Sequence, residues 1–64
     1  SVGTLPPVPP ILQERMDRAY EEVLVAKATS KAVTEVKTQE LNEISKIPDG
    51  KERRKRLAAF ARSV

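Results

Sequence analysis

The feature that most constrains this chain is a run of 37 residues, from Ile11 to Ile47, that contains neither glycine nor proline. The run is rich in glutamate, lysine, alanine, glutamine and leucine, which all favour helix. Pro10 precedes it and Pro48 follows it. Proline is tolerated in the first turn of a helix but ends one further along. The run therefore predicts an all-α protein.

Apolar residues in this run recur with the spacing of a coiled coil. Eight of eleven heptad a and d positions are apolar, whereas the overall apolar fraction of 39% would give about four. The register continues through Thr29 and Ser30, which favours one long helix over 11–47, although either residue could cap a second helix and make an αα-hairpin. The predicted association seam consists of Leu12, Met16, Ala19, Val23, Ala26, Val33, Ile44 and Ile47.

The segments on either side of the long helix have different compositions. Residues 1–10 contain four prolines, which favour an extended arm. Residues 48–50 predict a turn, and Asp49 precedes Glu52 by three residues, as in a capping box. Residues 51–64 predict a basic amphipathic helix. Its apolar side (Leu57, Phe60 and Val64) is expected to fold back onto Val33, Val36, Leu41 and Ile44.

The net charge of +3 is divided unevenly along the chain. Residues 1–50 carry six basic and eight acidic side chains, whereas residues 51–64 carry six basic and one acidic. Such a basic end suits an anionic partner. Because Tyr20 and Phe60 are the only aromatic residues, any contact with nucleic acid should be to its backbone. The candidate anion-binding residues are Lys51, Arg53, Arg54, Lys55, Arg56 and Arg62.

Composition excludes several kinds of chemistry. The chain has no cysteine and no histidine, so thiol nucleophiles, imidazole acid–base catalysis, disulfides and Cys/His metal sites are excluded. Its two glycines cannot form a phosphate-binding loop. Four acidic residues near the start of the predicted helix are expected to face solvent or to form ion pairs with another subunit. The residues of this acidic face are Glu14, Asp17, Glu21 and Glu22. We therefore expect no catalytic residue, cofactor, metal or small-molecule substrate.

The length of the chain predicts association. A core built from 64 residues rarely provides much stability alone, and this chain lacks the cysteines that could reinforce it. We therefore expect a homo-oligomer, as a coiled coil or bundle, or a place in a larger protein assembly.

The sequence contains no membrane-spanning or signal-peptide pattern. No apolar run approaches the roughly 18 residues of a transmembrane helix. The N-terminal residues lack the charged and apolar regions of a signal peptide. We expect an intracellular protein, or one held within a virion or other assembly, with no membrane partner.

These observations lead to one functional hypothesis and one alternative. The first is a non-catalytic helical assembly protein that self-associates through its long helix and presents its basic helix to nucleic acid. The alternative is a docking segment of a larger scaffold, in which the basic helix binds an acidic protein surface.

Overall fold

The computed structural model describes residues 3–63, which form three α-helices and no strand. Ser1, Val2 and Val64, at the ends of the predicted arm and basic helix, lie outside the described residues. Helix α3 packs against both other helices, and the contact between α1 and α2 is the smallest of the three. The predicted all-α class is confirmed. The helices are α1 (Pro10–Lys31), α2 (Glu35–Ser45) and α3 (Gly50–Arg62).

The prediction of one continuous helix over 11–47 is wrong, because the chain leaves the helical path after Lys31. Ala32 has φ −83° and ψ 66°, and the Val33 N–H donates to the Lys31 carbonyl at 2.9 Å. This is the geometry of an inverse γ-turn. The helix therefore ends without a glycine or a proline, the two residues whose absence favoured continuity.

The N-cap of α2 is Thr34, and not Thr29 or Ser30. Thr34 is extended, with φ −122° and ψ 162°, and its Oγ1 accepts a hydrogen bond from the Lys37 N–H at 3.1 Å. Threonine is a favoured N-cap because its hydroxyl satisfies a backbone donor that has no partner inside the helix. The turn thus comes a few residues later than the hairpin alternative placed it.

The interruption allows the three helices to share one core. In an uninterrupted helix, Leu41 would lie about 20 Å along the axis from Ala28, too far to pack with it. Folding α2 back brings both into contact with α3, and this apolar burial compensates for the intrahelical hydrogen bonds lost at the turn. The buried core consists of Leu24, Ala28, Leu41, Leu57 and Phe60.

Helix α3 begins where its cap was expected. Asp49 is the N-cap, and its carboxylate accepts a hydrogen bond from the Lys51 N–H at 3.3 Å. Because α2 ends at Ser45 and α3 starts at Gly50, the link between them covers 46–49 and not 48–50.

The apolar side of α3 folds back, but only partly onto the expected residues. Leu57 and Phe60 are buried together with Leu41, and Ile44 packs against them. Val33 and Val36, also expected in this contact, are 80% and 73% exposed. Val33 lies in the turn between α1 and α2, and Val36 lies in the first turn of α2. Their places are taken by Leu24 and Ala28 of α1.

The described part of the proline-rich arm has no regular secondary structure over residues 4–9. Pro9 has φ −55° and ψ 144°, close to polyproline II, and Pro10 is the first residue of α1. Gly3 has a φ of +91°, which glycine adopts readily because it has no Cβ.

Candidate association and anion-binding surfaces

Helix α1 has two different faces. One carries Leu24 and Ala28, which are 6% and 0% exposed and belong to the core. The other carries five apolar residues at alternating spacings of four and three. At 100° per residue, the centres of the two faces lie about 140° apart. The second face, called the α1 stripe below, consists of Leu12, Met16, Ala19, Val23 and Ala26.

The α1 stripe is open to solvent throughout. Leu12 is 45% exposed, Met16 57% and Val23 51%, and the two alanines are also exposed. The stripe contains five of the eight residues of the predicted association seam. The other three do not continue it: Val33 lies in the turn after α1, while Ile44 and Ile47 are partly buried. The seam is therefore reduced to the part that lies on α1.

Arg53, in the first turn of α3, contacts both α1 and the link between α2 and α3. Its Nε donates to Glu21 Oε2 at 2.8 Å and its Nη2 donates to Glu21 Oε1 at 3.0 Å. Its Nη1 donates to the Ile47 carbonyl at 2.8 Å. Two parallel hydrogen bonds between a guanidinium and a carboxylate fix both the distance and the relative orientation of the two groups. Arg53 thus attaches α3 to α1 and also holds the link that follows α2.

Arg54 supports the same contact with weaker geometry. Its guanidinium lies 3.6 Å from Asp17 and 3.6 Å from Glu21. Asp17 and Glu21 are four residues apart, so they occupy one face of α1. Sequence reasoning placed both acids on a solvated or intersubunit face and placed both arginines in the anion-binding set. The four-residue spacing shows only that the two acids share a face of α1, and it does not identify Arg53 and Arg54 as their partners.

The ion pair perturbs the titration of Glu21. The hydrogen bonds from Arg53 hold the pKa of Glu21 below its ordinary value of 4.5, against the opposing effect of burial. The unfolded chain therefore binds this proton more readily than the folded chain. The contribution of Glu21 to stability is complete above pH 4.5, and it is lost as the pH falls through the lowered pKa.

Three of the other four cations of α3 form a separate surface. Lys51, Lys55 and Arg62 project within about 40° of one another, on the side opposite Leu57 and Phe60. All three are exposed, and their side chains form no ion pair or hydrogen bond with a described residue. We call these three residues the cation row.

Arg56 is intermediate between the two groups. It is 62% exposed and its Nε lies 3.9 Å from Glu52, one helical turn earlier. The structure therefore divides the six predicted anion-binding residues. Two attach α3 to α1, one has a local partner, and three form the cation row.

Neither a membrane span nor a metal centre is present in residues 3–63. None of the three helices combines the length and apolar character needed to cross a bilayer. No group of three acidic side chains in this part of the chain is arranged to hold a metal ion. The two candidate surfaces described in this part of the chain are the α1 stripe and the cation row.

No protein-family model, curated protein or solved structure matches this chain.

Proposed function

We propose that this chain is a non-catalytic helical assembly protein that self-associates through the α1 stripe. One observation carries the proposal: the apolar residues of α1 with heptad spacing lie on the side opposite the core and are left exposed. Contiguous apolar surface on a soluble protein commonly marks a site of association.

The composition of the α1 stripe suits another helix. Its residues follow the a and d pattern over two heptads, a length of about 21 Å from Leu12 to Ala26. Ala19 and Ala26 alternate with the larger side chains, so a second helix can approach closely. A second copy of this chain offers a surface of the same length and spacing. Two copies can therefore cover each other's stripe completely, as in an isologous dimer.

Sedimentation equilibrium tests this proposal. We expect the weight-average mass of the wild type to rise above the monomer mass of 7.1 kDa as its concentration increases through the micromolar range. Val23→Glu should remain monomeric, because the substitution places a charge at the centre of the α1 stripe.

Val25→Glu is the matched control for this experiment. Val25 is 41% exposed on the same helix but lies outside the α1 stripe, so the variant should associate like the wild type. A wild type that stays at 7.1 kDa at every concentration would overturn the proposal and leave the stripe to a helix of another protein. Equal dissociation of both variants would show that the effect of charge is not specific to the stripe, and would also overturn it.

A second function, binding to the phosphate backbone of nucleic acid, is supported by the cation row. Lys51, Lys55 and Arg62 extend over about 16 Å of α3 and have no acidic partner among the described residues. Cations near a helix N-terminus oppose the helix dipole, so Lys51 and Lys55 do not help to stabilise α3. Three contacts to phosphate would give binding that depends on salt and little on base sequence.

Fluorescence anisotropy with labelled duplex DNA tests the second function. With three phosphates neutralised, log K should fall with log salt at a slope of about −3. Lys51→Glu/Lys55→Glu should abolish the binding. Lys31→Glu/Lys46→Glu changes the net charge by the same amount away from the cation row and should keep most of it. No binding of DNA or RNA at low salt, together with binding to a polyglutamate peptide, would overturn this function in favour of an acidic protein partner.

A further inference from the structure

We infer that two copies of this chain pair through their α1 stripes in parallel and in register. This inference rests on the self-association proposed above and specifies the direction of the partner helix. It follows from the charged and aromatic residues on the two sides of the stripe.

Four residues beside the α1 stripe form no ion pair or hydrogen bond with a described residue. Arg15 and Glu22 lie along one side, and Tyr20 and Lys27 lie along the other. All four are exposed, with Tyr20 at 54%. The charged groups of Arg15, Glu22 and Lys27 form no ion pair within residues 3–63. In heptad terms, the first pair occupies g positions and the second pair occupies e positions.

A parallel dimer gives each of these residues a favourable partner. In parallel coiled coils, a g residue meets the e residue five positions later on the other helix. Glu22 then meets Lys27 of the second copy and forms an ion pair. Arg15 meets Tyr20 of the second copy, an arrangement that allows a cation–π contact. Because the dimer is two-fold symmetric, each contact occurs twice.

Antiparallel pairing is less favourable in both registers that align the stripes. The first register places Met16 opposite Ala26 but leaves Leu12 opposite Ser30, outside the stripe, and it brings Glu22 next to Glu22 of the second copy. A shift by one heptad pairs Arg15 with Glu22, but it places Ala26 opposite Pro9, before α1 begins. Only the parallel arrangement combines full overlap of the α1 stripe with no contact between like charges.

The rest of the fold is compatible with this arrangement. Leu24 and Ala28, which belong to the core, lie about 140° from the centre of the stripe. Helices α2 and α3 therefore lie on the outside of the dimer, and the ion pair between Arg53 and Glu21 is undisturbed. Both cation rows remain exposed in the dimer, and the two proline-rich arms leave from the same end.

Charge exchange across the interface tests the direction of pairing. Glu22→Lys and Lys27→Glu should each weaken dimerisation about tenfold in sedimentation equilibrium, because each puts two like-charged pairs at the interface. The double variant should recover the wild-type dissociation constant to within about threefold, since it restores both ion pairs with reversed polarity.

A cysteine crosslink provides an independent measurement, because the chain has no cysteine of its own. In the parallel register Ala26 faces Ala26 of the second copy, so Ala26→Cys should form a disulfide-linked dimer on mild oxidation. Ala59→Cys, at an exposed position of α3, reports random collision and should crosslink much less.

The possible outcomes separate this inference from the function on which it rests. A wild type that remains monomeric overturns both. A wild type that dimerises, but shows neither recovery in the double variant nor crosslinking at Ala26→Cys, overturns the parallel register alone. Loss of association in Glu22→Lys with no change in Lys27→Glu would identify the shifted antiparallel pairing. A mass of three or more copies would contradict the dimer.

Discussion

Replacement of Leu57 by alanine is expected to lower the free energy of unfolding by about 2–5 kcal/mol, the range for truncation of a buried leucine. Leu57 is 0% exposed and is the largest fully buried side chain among residues 3–63. It belongs to a core to which all three helices contribute. The expected loss is comparable to the whole stability of a domain of this size, so the variant should be largely unfolded at moderate temperature.

Urea denaturation followed by far-ultraviolet circular dichroism measures this effect, at concentrations where sedimentation shows a monomer. Leu5→Ala is the matched control, because Leu5 is 87% exposed in the arm and the same atoms are removed. Its unfolding midpoint should equal that of the wild type. If both variants lost the same stability, or neither did, the arrangement of the core described here would be wrong.

Replacement of Glu21 by lysine is expected to cause the largest loss of stability among changes on the exterior of the helices. Glu21 accepts two hydrogen bonds from Arg53 and lies 3.6 Å from Arg54. A lysine there places three positive charges together at the contact between α1 and α3. An attraction that attaches the two helices would become a repulsion, and the melting temperature should fall markedly.

Thermal melting at low and high salt tests this expectation. Glu14→Lys makes the same change of charge on the exposed part of α1, where Glu14 forms no ion pair with a described residue. It should melt close to the wild type. High salt should narrow the gap between the two variants, because it screens the repulsion at the Glu21 position. Identical melting curves at low salt would contradict the role assigned to Glu21.

The two faces of α1 separate folding from association. Leu24 and Ala28 are buried in the core and stabilise the monomer, whereas Val23, the residue before Leu24, belongs to the α1 stripe and is 51% exposed. Variants of the α1 stripe should therefore change the dissociation constant with little change in monomer stability. Variants of the core should lower monomer stability and leave the contacts between the two α1 stripes unchanged.

Part of the candidate site could be predicted from the sequence. The spacing of Leu12, Met16 and Val23 places them on one side of any helix that contains them, whatever the rest of the chain does. The basic composition of α3 and the N-cap at Asp49 are likewise local, because their signals lie within a few neighbouring residues.

The partners of the cations could not be predicted in this way. Helical spacing places Arg53, four residues before Leu57 and seven before Phe60, on the apolar side of α3 and away from Lys51 and Lys55. It does not identify the group that Arg53 or Arg54 would contact. The partner of Arg53 lies 32 residues earlier in the chain. No local pattern specifies a contact across that distance, since it depends on how the two helices are placed relative to each other.

The amino-acid sequence alone determined that this protein is helical and that α1 would carry an apolar stripe, because helix propensity and residue spacing act over a few residues. It did not determine where the long helical run would end. Thr34 can cap a helix, but so can Thr29 and Ser30, and the heptad pattern passes through all three. The tertiary structure decided the break, because the burial of Leu41 beside Ala28 and Leu57 requires the chain to reverse direction.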